Sequence, residues 1–245
     1  MPRKTRPSAL SFLPGGDRLC RMKSFLTLRL VVAFASATIV PPLLAQTSEP
    51  PIAPTQRVEL FDGKSLSGWT FVSKDTNAVA AAIWSVTNGV IACEGKPYGY
   101  ARTLRTYRDY QLHVEWRWPD GPGNSGVFLH VNPPDKVWPL CFEAQLQAGN
   151  AGEIRCNGGS SADGLTAANP KSFPRRQPSS ELPAGEWNSY DILCRSNTIA
   201  VRVNGVLQNE ITGASAGFGA VALQAEGKLV EFRNSYLEPL PATTK

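Results

Sequence analysis

At 245 residues the chain is long enough for one domain with a sizeable core. Its formal charge of +5 would suit an anionic partner, but the excess sits in the first 45 residues, which hold seven of the 25 Lys and Arg and one of the 20 Asp and Glu. The remaining 18 basic and 19 acidic residues nearly cancel, and no basic patch is interleaved with aromatics, which argues against nucleic acid as a partner.

In chain order, residues 1–21 read as an upstream extension. Met22 and Lys23 then precede an apolar stretch from Leu30 to Val40, and Pro41 to Ala45 ends in a small residue before Gln46. That is the layout of a secretory signal peptide, and the apolar stretch is too short for a comfortable membrane span. The expected location is therefore periplasmic or secreted, with no membrane contact after signal cleavage. No lipobox precedes Cys20. Residues 46–56 are rich in Pro, Ser and Thr and read as an extended tether. Residues 57–240 form the domain, and 241–245 a tail.

Short apolar or alternating runs recur through the domain: RVELF, IWSVT, VIAC, WNSYDILC, TIAVRVN, VLQNEI, AVALQ and VEFRNSYLEPL. Turn signals separate them, among them Asp62-Gly63, Asn88-Gly89 and Asn204-Gly205, the last two being typical two-residue hairpin connections. No stretch keeps a helical period. The fold class is all-β, and two packed sheets are the natural way to bury that many half-apolar strands. Residues 157–185, rich in Gly, Ser, Pro and Arg, interrupt the rhythm, and a loop of that length is usually functional or mobile.

Three segments between Tyr110 and Gln147 carry the chemistry: YQLHVEWRW, NSGVFLHV and CFEAQLQ. With Leu112, Val114 and Trp116 inward, Gln111, His113, Glu115 and Arg117 face outward. With Phe142, Ala144 and Leu146 inward, Glu143, Gln145 and Gln147 line the opposite side. If these strands are neighbours in one sheet, two carboxylates, a guanidinium, amides and imidazoles share one surface suited to a sugar. The bland reading of Glu115 and Arg117 is cross-strand ion pairing.

Cys93, Cys141, Cys156 and Cys194 follow the leader. Four cysteines in an exported chain permit two disulfides in three pairings. Cys141 and Cys156 flank a hairpin and could face each other, while Cys93 and Cys194 suit free buried thiols equally well. No zinc-finger spacing is present. Gly213, Ser215 and Gly217 match the nucleophile-elbow pattern of α/β-hydrolases, yet both histidines come earlier in the chain and the surroundings are not a strand-to-helix turn, so the match is chance.

Taken together, LFDGKSLSGW, W-S-V-x-N-G-V-I, G-Y-A-R-T, Y-x-L-x-V-E-W-R, N-S-G-V-F, E-A-Q-L, G-E-W-N, V-N-G and V-E-F-R-N-S-Y-L-x-P-L resemble, in order from Val58 to Leu240, the domain of unknown function 1080. That family is also described as the 3-keto-glycoside lyase/hydratase or 3-keto-disaccharide hydrolase domain. The resemblance implies a concanavalin A-like jelly-roll sandwich of two antiparallel sheets, a carbohydrate substrate handled on a concave sheet, and an exported bacterial protein. Ala101 departs from the family, where a bulkier apolar residue is usual, as does the long 157–185 loop.

The implied reaction is elimination and hydration. A C3 ketone acidifies the hydrogen at C2, a carboxylate removes it while an acid helps expel the C1 substituent, and water then adds. Glu143 and Glu115 are the candidate base and acid, their roles unassigned between them, with His130 and Arg117 to stabilise charge. Asn124, Gln145 and Arg102 would hold sugar hydroxyls, and Trp138 or Tyr98 would stack on a ring. The metal is unknown: a divalent cation held by Glu and His is the open cofactor, without diagnostic ligand spacing. The rival readings are a non-catalytic carbohydrate-binding module on the same sandwich and a protein-interaction scaffold.

Overall fold

The computed structural model describes residues 49–241. The leader with Cys20, the first residues of the tether (46–48) and the tail from residue 242 lie outside the described residues.

The strands in chain order are β1 (Val58–Glu59), β2 (Trp69–Ser73), β3 (Trp84–Thr87), β4 (Val90–Cys93), β5 (Gly99–Thr103) and β6 (Tyr107–Arg108). There follow β7 (Tyr110–Arg117), β8 (Gly126–Asn132), β9 (Leu140–Gln145), β10 (Ile154–Asn157) and β11 (Ser172–Phe173). The last are β12 (Asn188–Arg195), β13 (Thr198–Val203), β14 (Val206–Ile211), β15 (Phe218–Ala225) and β16 (Val230–Pro239). The only helical element among the described residues is a single 3-10 turn, Ala80–Ala82.

The strands form two antiparallel sheets. One runs β14-β13-β12-β7-β16-β4-β3, with β1 added to β16; the other runs β11-β10-β9-β8-β15-β5-β2, with β6 added to β15. The inward set of each strand meets its counterpart between the sheets. Leu112, Val114, Trp116, Tyr190, Ile192 and Phe232 from the first pack with Val127, Leu129, Phe142, Ala144, Ile154 and Leu223 from the second in one buried cluster.

Both Asn-Gly pairs are the hairpins expected. Asn88 and Gly89 have φ of 52° and 78°, Asn204 and Gly205 of 48° and 81°, the left-handed pair that matches the twist of the flanking strands. The tether is docked before it reaches β1: Ile52 pairs in parallel with Tyr107 and Pro54 is buried.

The four cysteines of the domain are all free thiols and all buried. Cys141 pairs in register with Asn157, and Cys156 with Phe142, so adjacent positions on alternating strands send the two thiols to opposite faces. Cys156 joins the inter-sheet core and Cys141 a second cluster on the outer face.

The 157–185 segment is fastened by side-chain amides. Gln208 Nε2 donates to the Pro178 carbonyl and Ser180 Oγ, at 3.0 and 2.8 Å, and Asn204 Nδ2 donates to the Ser180 carbonyl and Asn188 Oδ1, both at 2.8 Å. Asn209 Nδ2 donates to the carbonyl of Phe173 at 2.6 Å. These bonds satisfy a backbone that has almost no ladder of its own, and strap it to the β12–β14 end of the first sheet.

Candidate active site

The outer face of the second sheet gathers an unusual set of buried polar groups. Register aligns Arg102, Ala222, Phe128, Glu143 and Arg155 in one row across β5, β15, β8, β9 and β10. One pleat along, Tyr100, Gln224, Gly126 and Gln145 form the next row. Beyond it, Asn124 Nδ2 donates to Glu226 Oε2 at 2.8 Å. Side chains two apart on a strand share a face, so these rows make one continuous surface.

Glu143 is the most deeply buried carboxylate on it, only 2% exposed. Its Oε2 accepts from Asn157 Nδ2 at 2.7 Å, while Oε1 has no partner among the described residues. Burial pushes the carboxyl up to about 7 against the pull of the Asn157 hydrogen bond; the Glu226 charge adds to the rise and Arg155 opposes it. Glu226 is raised as well, first by burial, with Arg155 and then the Gln224 amide working against it. Arg155 thus acts on both carboxylates from the strand beside Glu143.

Gly126 makes room for this arrangement. A Cβ there would lie 2.6 Å from Glu143 Oε1 and 3.0 Å from Gln224 Oε1. Both ends of the Gln224 amide and Asn124 Oδ1 are, like Glu143 Oε1, buried without a protein partner. Orphans of this kind are rare, and four such atoms from three side chains on one face mark a place built for something polar from outside the chain.

Farther along the same face, Arg102 donates from Nε and Nη2 to Asp135 at 2.9 and 2.8 Å, and Tyr100 Oη donates to Asp135 at 3.2 Å. These bonds draw the 133–139 turn over Phe128 and Tyr100, both fully buried. Trp138, in that turn, is 44% exposed and Tyr98 37%. Gln145 lies beside Glu143, but its Oε1 accepts from the Gln147 backbone at 2.9 Å. The second sheet therefore brings together Glu143, Gln145, Asn124 and, three strands away, Arg102, of the residues expected from sequence.

Two of the expected catalytic groups and Arg117 lie elsewhere. Glu115 and Arg117 belong to β7, whose neighbours are β12 and β16, so the three segments of the sequence are split between the two sheets. Glu115 accepts from Arg233 Nε at 2.6 Å and Asn234 Nδ2 at 2.8 Å, and Arg117 Nε donates to Glu231 at 2.5 Å. Burial works to raise the Glu115 carboxyl, yet the bonds from Asn234 and Arg233 hold it below the usual range. Arg117 and Arg233 cover the Trp187 ring at 4.7 and 4.0 Å, and His113 stacks on Tyr236 at 4.8 Å. This is a satisfied cross-strand network, the bland reading of those residues.

His130 is displaced for a local reason. The β8 ladder slips register between Leu129 and Asn132, and His130 takes a φ of 54° at the bulge. The slip swings the ring into the sandwich against Tyr110, 5.9 Å between centroids, where Nδ1 donates to the Ala216 carbonyl at 2.8 Å. Burial drives it down to about 4 despite that bond. The Glu–His pairing proposed for a cation is not assembled, and among the described residues no three His, Cys, Asp or Glu side chains are grouped to hold a metal.

Glu226, Gln224, Arg155 and Asn157 are the polar side chains that share the face with Glu143, where Glu115, Arg117 and His130 were expected. Their signal was present in the sequence: in AVALQAE, Ala220, Ala222, Gln224 and Glu226 alternate with Val221, Leu223 and Ala225, and in IRCN, Arg155 and Asn157 alternate with Ile154 and Cys156. Cavity size does not find the site. A cleft of about 630 Å³ lies instead between Pro50, Pro51, Leu104 and Phe218, where the charged pair is Arg105 with Glu49.

A family model described as the 3-keto-alpha-glucoside-1,2-lyase-like domain matches residues 56–238. A 3-keto-disaccharide hydrolase of Bacteroides thetaiotaomicron is 25% identical over 162 residues, which are 58% of this chain and 53% of that protein. The chain thus spans about half the length of the curated relative it matches. Among solved structures, a Parabacteroides distasonis protein whose name places it with glycosyl hydrolases superposes with a TM-score of 0.57 at 20% identity, covering 76% of this chain and 94% of its own. The Bacillus licheniformis β-glucanase gives 0.53 at 15% identity, over 75% and 97%. The carbohydrate binding module CBM66 of Bacillus subtilis gives 0.52 at 10%, over 70% and 95%. These structures share the concanavalin A-like jelly roll, and because a glucanase and a binding module are both among them, fold alone does not separate catalysis from binding. The match over residues 56–238 is what settles kinship: the chain belongs to the 3-keto-alpha-glucoside-1,2-lyase-like family.

Proposed function

We propose that this domain cleaves 3-keto-glycosides by elimination followed by hydration on the outer face of the second sheet. The observation that carries the reading is Glu143: a buried carboxyl near pKa 7, with one oxygen bound by Asn157 and the other unclaimed. A general base is most effective when its pKa lies near the working pH.

In this reading Glu143 Oε1 takes the proton from C2, which the C3 ketone has acidified. Arg155 faces the oxygen of the ketone and stabilises the enolate as charge moves onto it. Glu226, whose carboxyl is raised by burial, gives its proton to the departing C1 oxygen, and a C1–C2 double bond forms. Water then adds to C1 while Glu143 returns its proton to C2. Atoms balance with one water consumed, no oxidant is required, and an unoxidised glycoside is inert because its C2 hydrogen is not acidic. Asn124 sets Glu226, and Tyr98 and Trp138 offer exposed rings at the Arg102 end of the face for the leaving sugar.

The reading also covers export: the leader of residues 1–45 would place the domain in the periplasm or medium, where it meets glycosides. The binding-module alternative is supported by the resemblance to CBM66 in fold. One experiment separates them. Purified protein is incubated with a 3-keto-glucoside and with its unoxidised parent, with and without EDTA, and free sugar is measured. Release from the keto form alone supports elimination, and loss of release on chelation would add a cation to the site. Saturable binding without release from either would make the domain a binding module.

A further inference from the structure

Glu143 Oε1 and the Gln224 amide converge on one point above Gly126. The distances from that point, 2.6 and 3.0 Å, leave the two groups within the span of a single bridging water at ~2.8 Å to each side. Gln224 is 1% exposed, and neither its Oε1 nor its Nε2 has a protein partner. Its backbone is fixed: Ser125 Oγ donates to the Gln224 carbonyl at 2.7 Å. On β15 it lies one pleat from Glu226, and Asn124, which holds Glu226 at 2.8 Å, leaves its own buried Oδ1 unpartnered. Gln224 therefore stands between the two carboxylates, its amide near enough to Glu226 to lower that carboxyl yet with neither end in a closed hydrogen bond among the described residues, and a neutral amide cannot compete with either for protons.

We infer that Gln224, with Asn124 Oδ1, positions the water that completes the reaction. This rests on the elimination–hydration reading above. Once the leaving group has departed, Glu226 is a carboxylate. The water donates one hydrogen bond to Gln224 Oε1 or Asn124 Oδ1 and accepts one from Gln224 Nε2. Glu226 takes its proton as the C1–O bond forms, the C1–C2 double bond is consumed, and Glu143 delivers its proton to C2. Gln224 touches the attacking water but neither the C2 hydrogen nor the leaving oxygen. The first half of the reaction should therefore survive its loss.

The test uses the full chain with a 3-keto-glucoside bearing a chromogenic leaving group. Leaving-group release and free 3-keto sugar are followed together, and the conjugated enone intermediate is read by its ultraviolet absorbance and by NMR. In the wild type the two products should appear in equal amounts. In Gln224→Leu, release of the leaving group should stay within about threefold, whereas free 3-keto sugar should fall at least tenfold and the enone should accumulate. Gln224→Met, which keeps the side-chain length without the amide, provides a second variant with the same split between the two products. Equal products in both variants, or equal loss of both products in folded protein, would overturn the role of Gln224 while leaving the elimination reading intact. No release by the wild type would overturn both.

Discussion

Asn157 gives Glu143 a single hydrogen bond of 2.7 Å, the only one that carboxyl receives among the described residues. A buried carboxylate normally collects several partners or loses its charge. Here the environment holds the group between the two states.

Glu143→Gln should abolish turnover, with kcat down at least 10³-fold, and should stabilise the fold at high pH. The native carboxyl binds its proton up to about pH 7, the unfolded one only to about 4.5. Native protein therefore holds the extra proton between these values, and stability falls as pH rises through them, by a total on the order of 3 kcal/mol. Thermal unfolding of wild type and variant at pH 5 and pH 8 checks this: the variant should gain most at pH 8.

Turnover should fall on the acid side of the pH profile. Below about 7 Glu143 is protonated and cannot act as base, so kcat/KM should drop there. Glu226→Gln removes the proton donor and should lower kcat while leaving that acid limb in place. A pH–rate profile of kcat/KM for the two proteins is the measurement.

Glu115→Gln should leave turnover within about twofold and cost about 1 kcal/mol of stability, because it removes charge from the bonds to Arg233 and Asn234 on the opposite sheet. Chemical denaturation and steady-state kinetics on the same preparation separate the two effects. A large loss of kcat in folded Glu115→Gln would contradict the site assignment.

Gly126→Ala tests the cradle directly. The added methyl would press on Glu143 Oε1 at 2.6 Å, so the variant should lose at least 10²-fold in kcat/KM and destabilise the fold by about 1–3 kcal/mol. Arg155→Met, at an exposed position, should reduce kcat about 10²-fold with little effect on melting temperature.

The strands, both Asn-Gly hairpins and the inward sets were legible because each depends on neighbours in sequence. Leu112, Val114 and Trp116 alternate whatever sheet receives them. Which sheet that is depends on pairing of β7 with residues more than seventy positions away, and no local pattern encodes it. That is why the sequence places Glu143 on a polar face but not Glu226 beside it: Glu115 and Glu226 have equivalent alternation, and only topology puts Glu226 on the face of Glu143. His130 was hidden by a bulge, since one extra residue reverses the side on which every later position falls. Gln224, Gln208 and Asn209 sit in runs that read as strands, but what their amides bond depends on partners far along the chain.

Asn204 combines two roles that conflict over time. Its Nδ2 donates to the Ser180 carbonyl and to Asn188 Oδ1, and its successor is Gly205, whose lack of a side chain leaves the backbone nitrogen open to attack on the Asn204 amide. Spontaneous deamidation there would turn a donor facing two acceptor oxygens into a carboxylate facing the same two. The strap over the β12–β14 end would then lose two of its bonds by age alone and hang on Gln208 and Asn209, so stored protein carries a chemical clock in its second Asn-Gly hairpin.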